Sequence, residues 1–186
     1  MKRLNAVLLV CLLLVGVLAG CGGDAPPAPP AGSSLPAVSV PPASAASPAG
    51  SSADYKAVIE AARTQEVNEH FGVVTNVEED KFGVIGFLGA DPAHMQKYAM
   101  SISAFVTQAY GVAIILPEPG HEREVEEAIN SFIEEQKKGF DGYLQPQFEI
   151  ANKALIETVP TGEIVFVMCD GAGDLMKALK DGLAAG

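Results

Sequence analysis

The chain has little from which to build redox or metal chemistry. Its 186 residues hold three cysteines, Cys11, Cys21 and Cys169, with no Cys-x-x-Cys pair. The three histidines, His70, His94 and His121, are far apart and lack the HExxH spacing of a zinc site. This predicts no metal site and no cofactor, with each histidine a surface or capping residue. Positive charge is scarce as well: 12 Lys and Arg face 23 Asp and Glu, for a net charge of -11. Such a chain repels nucleic acid and anionic membrane surfaces, so electrostatically steered partners are cationic or neutral. No nucleophile–base set stands out. Asp170-Gly171-Ala172-Gly173-Asp174 fails the dinucleotide pattern, because Met176 stands where its third glycine belongs. It fails the calcium-loop pattern too, and reads as a tight turn with a helix cap.

What the sequence does have begins at its N-terminus. Lys2 and Arg3 precede an apolar or glycine run from Ala6 to Gly20, too short for a membrane span of ~20 residues but suited to an export signal. Leu18-Ala19-Gly20-Cys21 closes that run and resembles the lipobox of bacterial lipoproteins. The resemblance implies that residues 1–20 are a signal peptide and that Cys21 is lipidated. The protein is then held on the outer face of the cell membrane by palmitate-class acyl chains, each contributing ~0.8 kcal/mol per buried CH₂.

Gly22 to Ala53 contains eight Pro, nine Ala, seven Ser and four Gly in 32 residues. With almost no large apolar side chain to bury, it cannot offset the entropy of ordering and reads as a disordered tether. Residues 21–53 are therefore assigned to the lipidated cysteine and tether, and 54–186 to one globular domain. Cys11 leaves with the signal and Cys21 carries lipid, so Cys169 is alone. The domain has no intramolecular disulfide and is stabilised by packing. At the end of an apolar strand, Cys169 reads as a buried core thiol.

Within the domain, Tyr55, Val58, Ile59 and Ala62 recur at helical spacing, with Asp54 as cap. Residues 73–89 fit either a helix, with Phe82, Ile85 and Leu88 on one face, or a strand through Val84 to Leu88. Asp91-Pro92 opens a helical turn. Tyr98 to Val106 alternates as a half-buried strand, and Tyr110 to Leu116 is a continuous apolar strand stopped by Pro117 and Pro119. His121 to Lys138 is an amphipathic helix, acidic at its start and basic at its end, with Gly139 as its stop. Residues 140–148 form a loop or short helix around Pro146. Two strands, 154–159 and 163–169, flank the turn Pro160-Thr161-Gly162, and a last helix follows. The order predicts an α+β fold: a mainly antiparallel four-stranded sheet with a ββαββα core and helices on one face.

Gln136-Lys-Lys-Gly-Phe140-Asp-Gly-Tyr143-Leu-Gln-Pro146-Gln147-Phe148, then Asn152-Lys-Ala-Leu-Ile and Gly162-Glu-Ile-Val-Phe-Val, resembles domain-of-unknown-function family 4358. Its members are small lipoproteins, mostly of Firmicutes, with no established activity. The resemblance runs from about Leu88 to the C-terminus and is clearest over 134–169. It departs at Pro146, which stands three residues after the tyrosine rather than two. Gln136, Phe140, Tyr143, Gln147 and Phe148 are the candidate binding loop, with Phe140 and Tyr143 expected to be structural first. The reading favoured is a non-catalytic module that binds an envelope protein, peptide or glycan. The alternative is a small envelope hydrolase using acidic residues such as those of Glu122 to Glu127.

Overall fold

A strand with no polar position must be covered on both sides. Two such strands form the centre of this protein: β2 (Gly111–Pro117) and β4 (Ile164–Met168) are buried at every residue. The computed structural model describes residues 49–186. The signal peptide, Cys21 and the tether up to residue 48 lie outside the described residues.

β2 and β4 pair antiparallel, with Gly111 opposite Met168 and Ile115 opposite Ile164. β1 (Met95–Ile102) and β3 (Leu155–Thr158) flank them, giving an all-antiparallel order β1-β2-β4-β3. Gly111 has to be glycine for space: a Cβ there would stand 2.6 Å from the Phe166 ring. Gly162, at φ 99°, supplies the left-handed turn expected between β3 and β4.

The remaining described elements are helices. They are α1 (Tyr55–Ala62), α2 (Gln65–His70), α3 (Val84–Leu88), α4 (Glu122–Phe140), α5 (Gln145–Asn152), α6 (Ala172–Ala185) and a 3₁₀ turn at Pro92–His94. The fold is α+β, with a four-stranded antiparallel sheet as expected, but the helices are not confined to one face. Met100, Ala113, Ile115, Ile164 and Phe166 point to one side and pack on Leu88, Val125, Ile129, Phe132 and Phe140 of α3 and α4. Ala99, Val112, Ile114, Val165 and Val167 point to the other side and pack on Tyr55 and Ile59 of α1 and Met176, Leu179 and Leu183 of α6. The unbroken apolar runs of β2 and β4 demand this second layer.

Several boundaries move. β1 stops at Ile102, and Ala104 and Val106 are exposed rather than part of its inner face. α4 runs through Gly139 to Phe140, which delivers the Phe140 ring to the core. Residues 73–89 fold mostly as turns, with one backbone bridge from Val74 to Met100 and the single turn of α3. Asp80 caps that turn by accepting from the amides of Val84 and Ile85 at 2.6 and 2.9 Å. The domain also starts before residue 54. The Gly50 amide donates to the Thr161 carbonyl, the Ser51 amide to Glu163, and the Ser51 hydroxyl to the Leu183 carbonyl, while Ala53 is buried. Residues 50–53, read as tether by composition, have backbone partners that composition does not register.

Candidate functional site

The loop that sequence reasoning favoured does not come together as a surface. Phe140 is 1% exposed and belongs to the core, and Phe148 packs partly buried against it. Gln147 braces the fold: its side-chain oxygen accepts from the Ala109 amide at 2.7 Å, tying α5 to the start of β2. Gln136 is half-buried on α4. Tyr143, expected to be structural first, is 77% exposed, because the turn after α4 closes through Tyr143 and Leu144 amides bonded to the Phe140 carbonyl.

Cys169 is half-buried rather than buried. Burial, then the nearby Asp170 carboxylate, pushes its thiol up to about 11. It borders an open depression with Pro146, Lys153 and Gly171, but a thiol held protonated is not a nucleophile at neutral pH.

A different region carries the surface that stands out. Phe82 is 74% exposed, Phe105 61% and Val106 88%. Phe82 and Phe105 border a cleft of about 350 Å³ whose other walls include His70, Phe71, Val74 and Ile102. It lies along the outer edge of β1, which the single Val74–Met100 bridge covers. Its floor is rigid. The Phe71 ring stacks on Tyr110 at 4.0 Å between centroids and meets His70 edge-on at 4.5 Å. Arg63 locks this floor with neutral acceptors alone. Its guanidinium donates to Ser101 Oγ and Tyr110 Oη, each at 2.8 Å, to the Phe71 carbonyl at 3.2 Å and to Asn68 Oδ1 at 2.9 Å. Burial raises the pKa of Tyr110 against the opposing pull of Arg63, so its hydroxyl stays protonated.

The family pattern of a domain of unknown function, DUF4358, matches residues 51–169. This chain belongs to that family. No curated protein and no solved structure matches the chain. The DUF4358 match begins well before Leu88, where the resemblance was first legible. It takes in the Arg63 lock, the aromatic cleft and the whole sheet, and stops before α6.

Sequence reasoning missed the cleft because its apolar residues also fit buried positions. Phe82 lies at helical spacing from Ile85, and Phe105 and Val106 follow directly on an alternating strand. It also took the histidines as isolated. His70 stands alone at the cleft, with its ring stacked loosely on Phe105 at 6.4 Å. His94 and His121 are in ring contact, and Glu124 is hydrogen-bonded to His121 with the same oxygen 2.9 Å from His94. Glu122 accepts from the Gly120 amide and Glu126 from Thr158 Oγ1, so the acidic start of α4 is largely engaged locally.

Proposed function

We propose that this DUF4358 protein is a lipid-anchored, non-catalytic module on the outer face of the cell membrane. Its cleft at Phe82 and Phe105 receives an apolar segment of a partner protein. The observation that carries this reading is the pair of outward-facing phenylalanines around a cleft whose floor is fixed by Arg63. Monomeric surfaces rarely keep such rings together in water without an occupant. Burying what is exposed of both on a partner would contribute about 2–4 kcal/mol before the cost of association. Glu79 and Lys81 both line the cleft and balance each other locally, so it is the net charge of -11 that favours an apolar segment with basic flanks. Lipid anchoring is supported by the lipobox-like Leu18 to Cys21. No helix among the described residues is long and apolar enough to cross a membrane.

Two measurements test this. Replacing Cys21→Ser releases the protein from membranes or leaves an unprocessed precursor; normal processing with unchanged retention would refute the anchor. Titrating ¹⁵N-labelled protein with apolar peptides carrying basic or acidic flanks moves resonances at His70–Val74 and Ile102–Phe105 for the basic set. Phe82→Ser with Phe105→Ser abolishes the shifts. Shifts centred on Tyr143 instead, or none with any peptide, would refute the cleft.

A further inference from the structure

The β1–β2 hairpin returns the chain to its own beginning. Met95 pairs with Pro117, and the Glu118 amide donates to the His94 carbonyl at 2.8 Å. His94, the last residue of the 3₁₀ turn, is thereby set beside His121, the residue before α4. Their rings stack with centroids 3.9 Å apart and planes 16° from parallel. Both Nδ1 atoms face a single atom, Oε2 of Glu124, at 2.9 Å from His94 and 2.7 Å from His121. The His121 contact is a hydrogen bond, in which the carboxylate accepts and Nδ1 donates; the His94 contact is one of proximity. All three side chains reach solvent, and His94 and Glu124 border a cleft of about 270 Å³ that Asp91 also lines.

We infer that His94, His121 and Glu124 form a binding site for a divalent transition-metal ion of the zinc class. Two imidazole nitrogens and one carboxylate oxygen lie within 4.8 Å of one another. That donor set suits zinc and its neighbours in the row, whereas calcium and magnesium favour all-oxygen surroundings. Zinc–ligand bonds of ~2.0–2.2 Å at tetrahedral angles put donors about 3.3 Å apart. Each histidine nitrogen therefore draws back from the Glu124 oxygen by roughly 0.5 Å to admit the ion. Each Nδ1 binds the ion through its lone pair, so each neutral imidazole carries its proton on Nε2. Three protein ligands leave one position for water or for a group brought from outside, and the cleft beside them has the room. The surrounding charge favours a cation: Asp91 lines the cleft, Glu122 stands on the same turn of α4, and Arg123 is engaged with Glu127 at 3.6 Å.

The test is equilibrium dialysis of the detergent-solubilised full chain against zinc chloride, with cobalt(II) absorption as a second readout. One zinc per chain and a visible cobalt spectrum of a low-coordinate N,O site are expected. His94→Ala, His121→Ala and Glu124→Gln each weaken uptake by well over about tenfold, since even outer-shell partners are worth ~10–100-fold. His70→Ala leaves it unchanged. Thermal melts verify that each variant is folded, and Glu124→Gln, which keeps an oxygen acceptor for the rings, decides the matter if a histidine variant is not. No uptake, or uptake that survives the His94 and His121 substitutions, would overturn the site.

Discussion

The Tyr55 hydroxyl donates a 2.8 Å hydrogen bond to Oε1 of Glu163, a carboxylate with no exposed surface. Thr161 Oγ1 donates to the other oxygen, and the Ser51 amide donates to Oε1 as well. A buried carboxylate is costly unless it is satisfied in this way.

Glu163→Ala leaves the buried Tyr55 hydroxyl without its acceptor, whereas Ser51 and Thr161 are near enough to solvent to regain water. An unsatisfied buried group costs about 1–3 kcal/mol, and a loss of that size is expected, read from urea midpoints. The acid limb carries a second signature. Burial pushes the Glu163 carboxyl up, but the bonds from Thr161, Ser51 and Tyr55 together bring it below its ordinary value of 4.5. A depressed folded pKa stabilises above the unfolded pKa, and that contribution is lost as pH falls through the folded value. Wild-type stability should therefore decline from about pH 4.5 downward. Glu163→Gln should show a shallower decline; identical acid slopes would show that this carboxylate is not the source.

Phe140→Ala and Tyr143→Ala should part company, although they stand in one turn. The buried Phe140 ring leaves a cavity worth about 3–5 kcal/mol. Tyr143, out in water, should change stability by less than about 0.5 kcal/mol. Thermal melting of the two variants side by side checks this, and equal losses would contradict the turn geometry.

Cys169 should label slowly. With its thiol at about 11, only about one molecule in a thousand is thiolate at pH 8. The native protein should react with a thiol reagent far more slowly than the urea-unfolded chain, and reductant should leave its melting unchanged. Rapid native labelling would mean that the end of β4 opens.

Much of this architecture was legible before any coordinates. The continuous runs Val112–Leu116 and Ile164–Met168 name the central strands, the acidic-to-basic gradient over 122–138 names α4, and Pro160-Thr161-Gly162 names the turn. The second helical layer was missed, because helices were expected on one face, although strands apolar on both faces need cover on both. The sites were not legible. Whether Phe82 faces in or out depends on turns that hydrophobic spacing does not encode, and Tyr143 shares its composition with buried neighbours. His94 and His121 meet only because a hairpin register places residue 95 opposite residue 117. Spacing along the chain measures nothing about that distance.

The hydrogen bonds that close over residues 50–55 also fix where mechanical load enters the domain. A pull on the chain preceding Gly50 is not received by a frayed end. It passes through Ser51 and Tyr55 to Glu163 at the head of β4, and through the Ser51 hydroxyl to the last turn of α6. The force is thus shared between the middle of the sheet and the C-terminal helix. Several bonds must break together before any strand is peeled away, which makes this end of the domain a strain relief.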